Sequence, residues 1–471
     1  MAQRMLSVSM SSNLTMSRRM ALTMTLAGCA MAMGGRTTMA SSRPSIGATD
    51  LRGGIDAASQ GVVPGAVDAQ SKKLAAVIAE AARQNMPVFL PPGIYPVSNL
   101  DLPDGTRLYG VAGATRLVYS GDGHLLRSEG AKRIELSNLV LDGAGRNLGD
   151  HAAALVHMRN VGEVIIDNCE IVGSAKTGLQ MERCGGRIDR NRITGAADYA
   201  VLAIESTGLA ITGNMVTDCG NGGILVHRWT KGADGTLVTG NRISATRARN
   251  GGTGQYGNAI NIYRADNVQV IGNHVSGSAF SAIRSNAGSN VQIANNQCLA
   301  SGETAIYSEF GFEGAIVSGN VVDGAANGIS IVNFNEGGRL ATVSGNVVRN
   351  LSLTAPYEQS DTFFGLGISV EADTAVTGNV IENAPRFGLL LGWGPYLRNI
   401  SVTGNVVQQA ATGCAVSVAE GVGSALIANN LFERVPGGGV IGYRWHNVAS
   451  KELAADAAGF PHLTVMGNRV A

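Results

Sequence analysis

"TVSGNVVRN", residues 342–350, sets a Gly-Asn pair between short apolar runs. Near-copies return as "AITGNMVTD" (210–218), "TLVTGNRIS" (236–244), "VQVIGNHVS" (268–276), "TAVTGNVIE" (374–382) and "ISVTGNVVQ" (400–408). Aligned on the Asn, the matches fall at Asn191, Asn214, Asn241, Asn273, Asn296, Asn320, Asn346, Asn379, Asn405, Asn430 and Asn468. Their spacings are 23, 27, 32, 23, 24, 26, 33, 26, 25 and 38 residues. Two earlier segments, "IDNCEI" and "LSNLVL", fit the same frame with Cys169 and Leu139 at the Asn position. The minimal repeat is therefore about 23 residues, and the longer copies carry insertions. A period in this range belongs to solenoids and arrays.

Each copy holds bursts of strictly alternating apolar residues, such as "NAINIYRAD" followed by "VQVIGNHVS". No helical period runs inside the copies, so helical repeats are excluded. Short alternating strands separated by Gly and Asn fit one coil of a parallel β-helix, an all-β solenoid of about a dozen coils. Successive coils would stack about 4.8 Å apart, with Val and Ile pointing into one continuous core. The Asn is expected to take the tight left-handed turn and to bond its amide to the coils above and below.

Composition agrees. The 471 residues include 64 Gly, with 5% aromatic and 15% charged residues and a net charge of +1. Nothing in that balance steers the chain to nucleic acid. Arg outnumbers Lys 30 to 6, so local cationic patches would be guanidinium patches suited to carboxylates. Five Cys lie beyond the N-terminal region, at 169, 184, 219, 298 and 414, scattered without a metal-like spacing. They read as small core-filling thiols.

The N-terminus reads as an export signal over 1–40. Arg18 and Arg19 precede the weakly apolar "MALTMTLAGCAMAMGG", too short and Gly-rich for a stable membrane anchor. The Arg pair points to the twin-arginine export machinery and a periplasmic or secreted product. "LAGC" places Cys29 in a lipidation-like box; cleavage after a small residue such as Ala32 or Ala40 is the alternative. A linker (41–67) leads to an N-terminal cap and first coils (68–130). There "DAQSKKLAAVIAEAARQ" predicts an amphipathic helix over 68–84, capped by Asp68 or Ser71. The repeats fill 131–471, and the insertion "PGGGVIGYRWHNVASKELAADAAGFPH" before Asn468 reads as a C-terminal cap, although Tyr443, Arg444, Trp445 and His446 have the composition of a site.

"MPVFLPPGIYPVSNLDLPDGTRLYG", after the predicted helix, gives strand, Pro-Pro-Gly, strand, Leu-Pro-Asp-Gly, strand. From about residue 50 onward the sequence resembles the pectin-lyase-like superfamily, which implies a single-stranded right-handed parallel β-helix. With the Arg pair and the Asn frame it also resembles the family of twin-arginine-translocated uncharacterised repeat proteins, which implies export and repetition but no reaction. The superfamily's catalytic motifs are absent: there is no Gly-His-Gly with Arg-Ile-Lys, no Trp-Ile-Asp-His and no Asp-Pro-His-Glu, the nearest stretch being "DGH" at Asp122–His124.

Alternation fixes which side chains face outward in one strand of each coil. These are Leu225 and His227, Asn261 and Tyr263, Arg284 and Asn286, Tyr307 and Glu309, Ser369 and Glu371, expected as two columns on one face. Arg228, Trp229, Arg264, Phe310 and Trp393 lie where those strands turn. Aromatic rings beside Arg and carboxylates suit an extended acidic polysaccharide. The 32- and 33-residue copies add "TRARNGGTGQYG" and "LTAPYEQSDTFF" just ahead of the Tyr263 and Glu371 strands, which predicts loops walling one groove and a cluster of Arg228, Arg247, Arg249, Arg264 and Arg284.

Three readings follow. In the first, His227 or Tyr263 is the base for β-elimination or epimerisation of a uronate, with Arg264 and Arg284 neutralising the carboxylate. In the second, Glu309 and Glu371, about 10 Å apart, form an acid/base pair for glycoside hydrolysis. In the third, the solenoid is a non-catalytic structural or binding protein. Substrate contacts would come from Arg228, Trp229, Asn286, Tyr307, Glu309, Glu371 and Trp393. No motif demands a metal or cofactor; Ca²⁺ bridging a uronate to Glu309 and Glu371 is the one arrangement left open.

Overall fold

A computed structural model describes residues 53–251, 254–357 and 364–471. Arg18, Arg19 and Cys29 lie outside the described residues. From Gly53 onward the chain winds through three stacked parallel sheets. In one coil, Gln269–Ile271 lies in sheet 1, His274–Ser276 in sheet 2 and Ile283–Asn286 in sheet 3. Sheet 1 holds 16 strands, and the other 28 strands make sheets 2 and 3. Sheets 2 and 3 merge where the twelve-residue strands Val380–Leu391 and Val406–Ser417 run through the corner between them. Sixteen strands exceed the dozen coils that the Asn frame gives, because the first coils, at Ile55–Asp56, Val88–Phe89 and Arg107–Tyr109, carry no Gly-Asn signal.

Alternation puts one side chain of each pair inside. Val238, Val270, Ile293, Val317 and Val343 of sheet 1 and Ile243, Val275, Cys298, Val322 and Val348 of sheet 2 are at most 1% exposed and belong to one unbroken core. All five Cys of the coils are buried free thiols, and burial pushes the Cys169 thiol up to about 12. These thiols fill space rather than react.

The ladder runs unbroken from Asn191 to Asn468. Each Asn Nδ2 donates to the Oδ1 of the next Asn and to a carbonyl of the preceding coil: Asn320 reaches Asn346 Oδ1 at 3.0 Å and Ile293 O at 3.0 Å, and its backbone N–H also donates to Asn346 Oδ1 at 2.9 Å. Cys169 occupies the frame below, its N–H donating to Asn191 Oδ1. The left-handed residue is not the ladder Asn. It is the residue before it, with φ of 63° at Gly213 and Gly345 and 56° at Asn429. Gly takes that conformation without the Cβ clash, which frees the Asn to serve as the amide bridge.

Helix α1, Ser71–Arg83, buries Leu74, Val77, Ile78 and Ala81 against the first coils. Neither Asp68 nor Ser71 caps it. Gln70 stands at the N-cap without a side-chain bond to the helix, its amide pairing instead with the Val63 backbone, while Ser71 Oγ accepts the Ser98 N–H. At the other end, Val440–Arg444 and Asn447–Glu452 form the one antiparallel strand pairing among the described strands. Glu452 accepts the N–H groups of Gly439 and Val440, and Leu453, Ala457 and Phe460 fold over the end of the core.

Candidate functional site

The register makes two outward columns along sheet 3. One runs Arg127, His157, Gln180, Leu202, Leu225, Asn261, Arg284, Tyr307, Ser330, Ser369. The other runs Glu129, Arg159, Glu182, Ile204, His227, Tyr263, Asn286, Glu309. It continues through Val332 to Glu371, each one residue past the paired Ile331 and Val370. Alternation alone named the stretch from Leu225 and His227 to Tyr307 and Glu309, with Ser369 and Glu371 beyond it; the earlier positions, and Ser330 and Val332, come from the register.

What the side chains do with their neighbours differs from the sequence-based roles. Arg284 is not free to neutralise a substrate. Its Nε and Nη2 grip Glu309 at 2.7 and 2.9 Å, Nη1 lies 3.2 Å from Glu303, and the guanidinium covers the Tyr307 ring at 4.9 Å. At 7% exposure an unpaired guanidinium would be far too costly, so it is held between carboxylates. Asn286 donates to the same Glu309 at 3.0 Å. Removing the cation should therefore leave two buried acids without a counter-charge. Arg284→Met is expected to cost about 3–5 kcal/mol, and Arg284→Lys less, in urea unfolding. A loss under about 1 kcal/mol for the Met variant would mean that the pair is solvated.

Arg228 is likewise committed, to Glu205 at 2.8 Å. The expected five-arginine cluster does not form. Arg247 pairs with Asp218 and, with Arg249, lines the turn leading into sheet 3, whereas Arg228 and Arg264 stand where sheet 3 strands end. Strand alternation cannot tell the two ends of a strand apart.

Residues 228–231 bulge out of the Gly222–Ala233 strand, with regular pairing resuming at Gly232 opposite Ala265. The finger leans over later coils, Lys231 Nζ reaching Gly311 O at 2.5 Å. It presents Trp229, 52% exposed, with the Arg183 guanidinium 4.8 Å over its ring. Arg264 takes a left-handed turn (φ 57°), donates to Trp229 O at 2.9 Å and lies 4.8 Å over Tyr263. Among the described residues no carboxylate lies within ion-pair distance of Arg264. His227 meets Tyr263 edge-on at 5.6 Å; burial pulls its imidazole down to about 4, so it is neutral at physiological pH.

Further along, a cavity of about 220 Å³ opens between Tyr307, Glu309, Phe310, Asn327, Ser330, Asn333, Ser369, Glu371 and Trp393. Glu371 accepts the Phe334 N–H at 2.7 Å, yet burial dominates and raises its carboxyl to about 7. Trp393 forms the end wall, backed by Trp445 at 5.6 Å and His446 at 4.9 Å from the C-terminal hairpin. The cap thus also supports the cavity.

The two long insertions flank a separate trough of about 800 Å³, floored by Gly277–Ala279, Ala300–Gly302 and Gly324–Ala326. It lies on the turn rather than on the sheet 3 face, and among the described residues Arg247 and Arg249 are its charged lining. The second insertion still touches the face: Tyr357 stacks on Phe280 at 6.2 Å and bonds Glu303. Glu303, Tyr357 and Arg183 were not singled out from sequence. The first two precede their strands in turns, where no alternation assigns a direction. Among the described residues no set of three His, Cys, Asp or Glu is arranged to hold a metal ion, and no helix is long and apolar enough to cross a membrane.

Comparison with known proteins bears on the architecture. Residues 125–297 and 184–348 match the family model described as right handed beta helix region. No curated protein matches the sequence. Among solved structures, the N-terminal fragment of bacteriophage Phi29 gene product 12 is similar at 14% identity and TM-score 0.56, over 88% of this chain and 70% of that one. The tailspike protein 3 of bacteriophage CBA120 is similar at 11% identity and TM-score 0.51, over 88% of this chain and 62% of that one. Together with the register of its sheets, these matches identify the chain as a right-handed parallel β-helix.

Proposed function

We propose that the protein is an exported β-helix that binds a polysaccharide along sheet 3 and processes it at the cavity holding Glu371. The carrying observation is that cavity, about 220 Å³, in which a carboxyl raised to about 7 faces the Arg284-held Glu309 beside Trp393 and Phe310. A sugar ring seated there stacks on Trp393. Glu371, protonated near neutral pH, is placed to donate to a glycosidic oxygen as general acid. Glu309 stands two coils away, roughly 10 Å, which is at or just beyond the upper limit for an inverting pair and too wide for a retaining one. Export through the twin-arginine machinery to the periplasm or the medium rests on Arg18 and Arg19, with Cys29 as the anchor if lipidated.

A second reading, β-elimination or epimerisation of an acidic polymer, is favoured by one observation: Arg264, without a carboxylate partner among the described residues, lies over Tyr263 with neutral His227 beside it. A uronate carboxylate on Arg264 would bring its C5 proton toward Tyr263 as the base. Arg284 drops out of that mechanism.

One panel separates the readings. Purified protein is incubated with neutral and uronic-acid polysaccharides, following new reducing ends, ultraviolet absorbance of unsaturated uronate, and binding. New reducing ends without absorbance support hydrolysis at Glu371, and Trp393→Ala is expected to weaken binding about tenfold. Absorbance that Tyr263→Phe removes would instead place an elimination at Tyr263. Binding without either product leaves a non-catalytic receptor, and silence in all three would sink the polysaccharide reading.

A further inference from the structure

A second polar pocket lies on the same face, eight or nine coils before Glu371. It encloses about 100 Å³ between His124, Arg127, Glu129, His151, His157 and Arg159. His124 is 4% exposed. Its Nδ1 has no hydrogen-bond partner among the described residues, and its Nε2 stands 3.4 Å from Asp101 without hydrogen-bond geometry. His157 Nε2 is also without a hydrogen bond, 3.8 Å from Glu182. Buried polar atoms are nearly always satisfied, so several unsatisfied ones around one small cavity call for a polar occupant. Desolvation lowers both imidazoles, so each ring offers one donor and one acceptor. The nearby charges largely cancel: Arg127 pairs with Asp101, and Arg159 lies near Glu129 and Glu182. A surface of paired charges and neutral imidazoles suits hydroxyl groups better than a bare ion.

From this pocket the two columns lead without interruption to Glu371. Eight strand steps separate the His157 strand from the Glu371 strand, roughly 38 Å at the usual spacing. A 1,4-linked pyranose advances by about one such spacing, so one sugar falls on each coil, roughly. Exposed Trp229 and the Tyr263 ring lie midway and provide apolar faces for the intervening rings.

We infer that the His124–His151–His157 pocket is a distal subsite for hydroxyl groups of the same glycan chain, so that the protein measures chain length over about eight residues. The inference rests on the groove reading above and adds to it where the far end of the chain is held.

The test uses the full chain and size-fractionated oligomannuronates, oligogalacturonates and cello-oligosaccharides of two to about ten residues. Affinity for the series that binds should rise at least tenfold as its length passes about seven units. His151 is exposed, so His151→Ala should fold normally. It should remove most of that rise and leave the affinity for trimers unchanged, and His157→Gln should act in the same direction. Histidine-selective NMR gives an independent readout: long oligomers should move the His124, His151 and His157 ring signals, and trimers should not. Trimers that bind with no gain from length and no ring shifts would overturn the distal subsite while sparing the cavity. Absence of binding by every oligomer would overturn both.

Discussion

Glu371→Gln should make the protein more stable at pH 8 by roughly 3 kcal/mol, leave its stability near pH 4 unchanged, and slow turnover at least a hundredfold. The sign follows from where the proton sits. The carboxyl rises from 4.5 to about 7 on folding because the cavity wall beside Trp393 desolvates it, and the Phe334 N–H that donates to it does not offset that cost. Below pH 4.5 both states are protonated, and the shift has no effect on stability. Between 4.5 and 7 the unfolded chain releases the proton first, so stability falls as pH rises. Above about 7 the loss is complete. Gln keeps an oxygen to accept the Phe334 N–H and has nothing to ionise, so it removes the penalty. It also removes the general acid, which is expected to lower kcat by 10²–10⁴. Thermal midpoints of both proteins across pH 4–8, beside the activity assay, check both halves. Parallel stability curves would show that Glu371 is solvated, and the acid assignment would fall with that result.

The second large effect belongs to the ladder. Asn320 is fully buried and its side chain bridges three coils, accepting from Asn296 and donating to Asn346 and Ile293. Asn320→Ala leaves the Asn296 N–H, the Asn296 amide, the Ile293 carbonyl and the Asn346 amide oxygen short of partners inside a dry core. At about 1–3 kcal/mol for each group left unsatisfied, and with partial relaxation, the expected loss is about 4 kcal/mol. Asn320→Asp keeps an acceptor but loses the donor and buries a charge, so it should be no better. Asn468→Ala, at the half-exposed last rung, should cost under about 1.5 kcal/mol. Urea unfolding of the three variants checks the ordering, and equal losses at Asn320 and Asn468 would contradict a role set by burial.

Much of this architecture is legible from one recurring pair of letters. The Gly-Asn frame gives the coil, and alternation gives both outward columns, because a period of two leaves no freedom once the core side is known. The site is legible as a set of positions but not as a set of bonds. "AIRSNA" places Arg284 outward, yet nothing in that stretch reveals that Glu309, one coil on, and Glu303, in a turn, both claim it. The Arg228–Lys231 finger is hidden for another reason: "GILVHRWTKGA" continues without Gly, Pro or Asn where the bulge leaves the sheet. The first coils are silent because helix α1 and Leu, rather than an Asn, close their core.

Each rung of the ladder bonds to the rungs beside it and to a carbonyl of the preceding coil, and the sheet strands pair with their counterparts in the neighbouring coils. Away from the Arg228–Lys231 finger and the Tyr357 loop, which reach across coils, the solenoid is therefore translationally degenerate: one whole period can be spliced in or out with the neighbouring coils re-pairing in the same register. The 23 residues from Arg192 to Asn214 form such a unit, ending on a rung and free of insertions. Duplicating or losing a unit like this would move the two ends of the sheet 3 groove by one strand spacing while leaving the chemistry at either end intact. Reach and reactivity are thus separable properties of this chain, open to independent change by recombination at the Gly-Asn junctions.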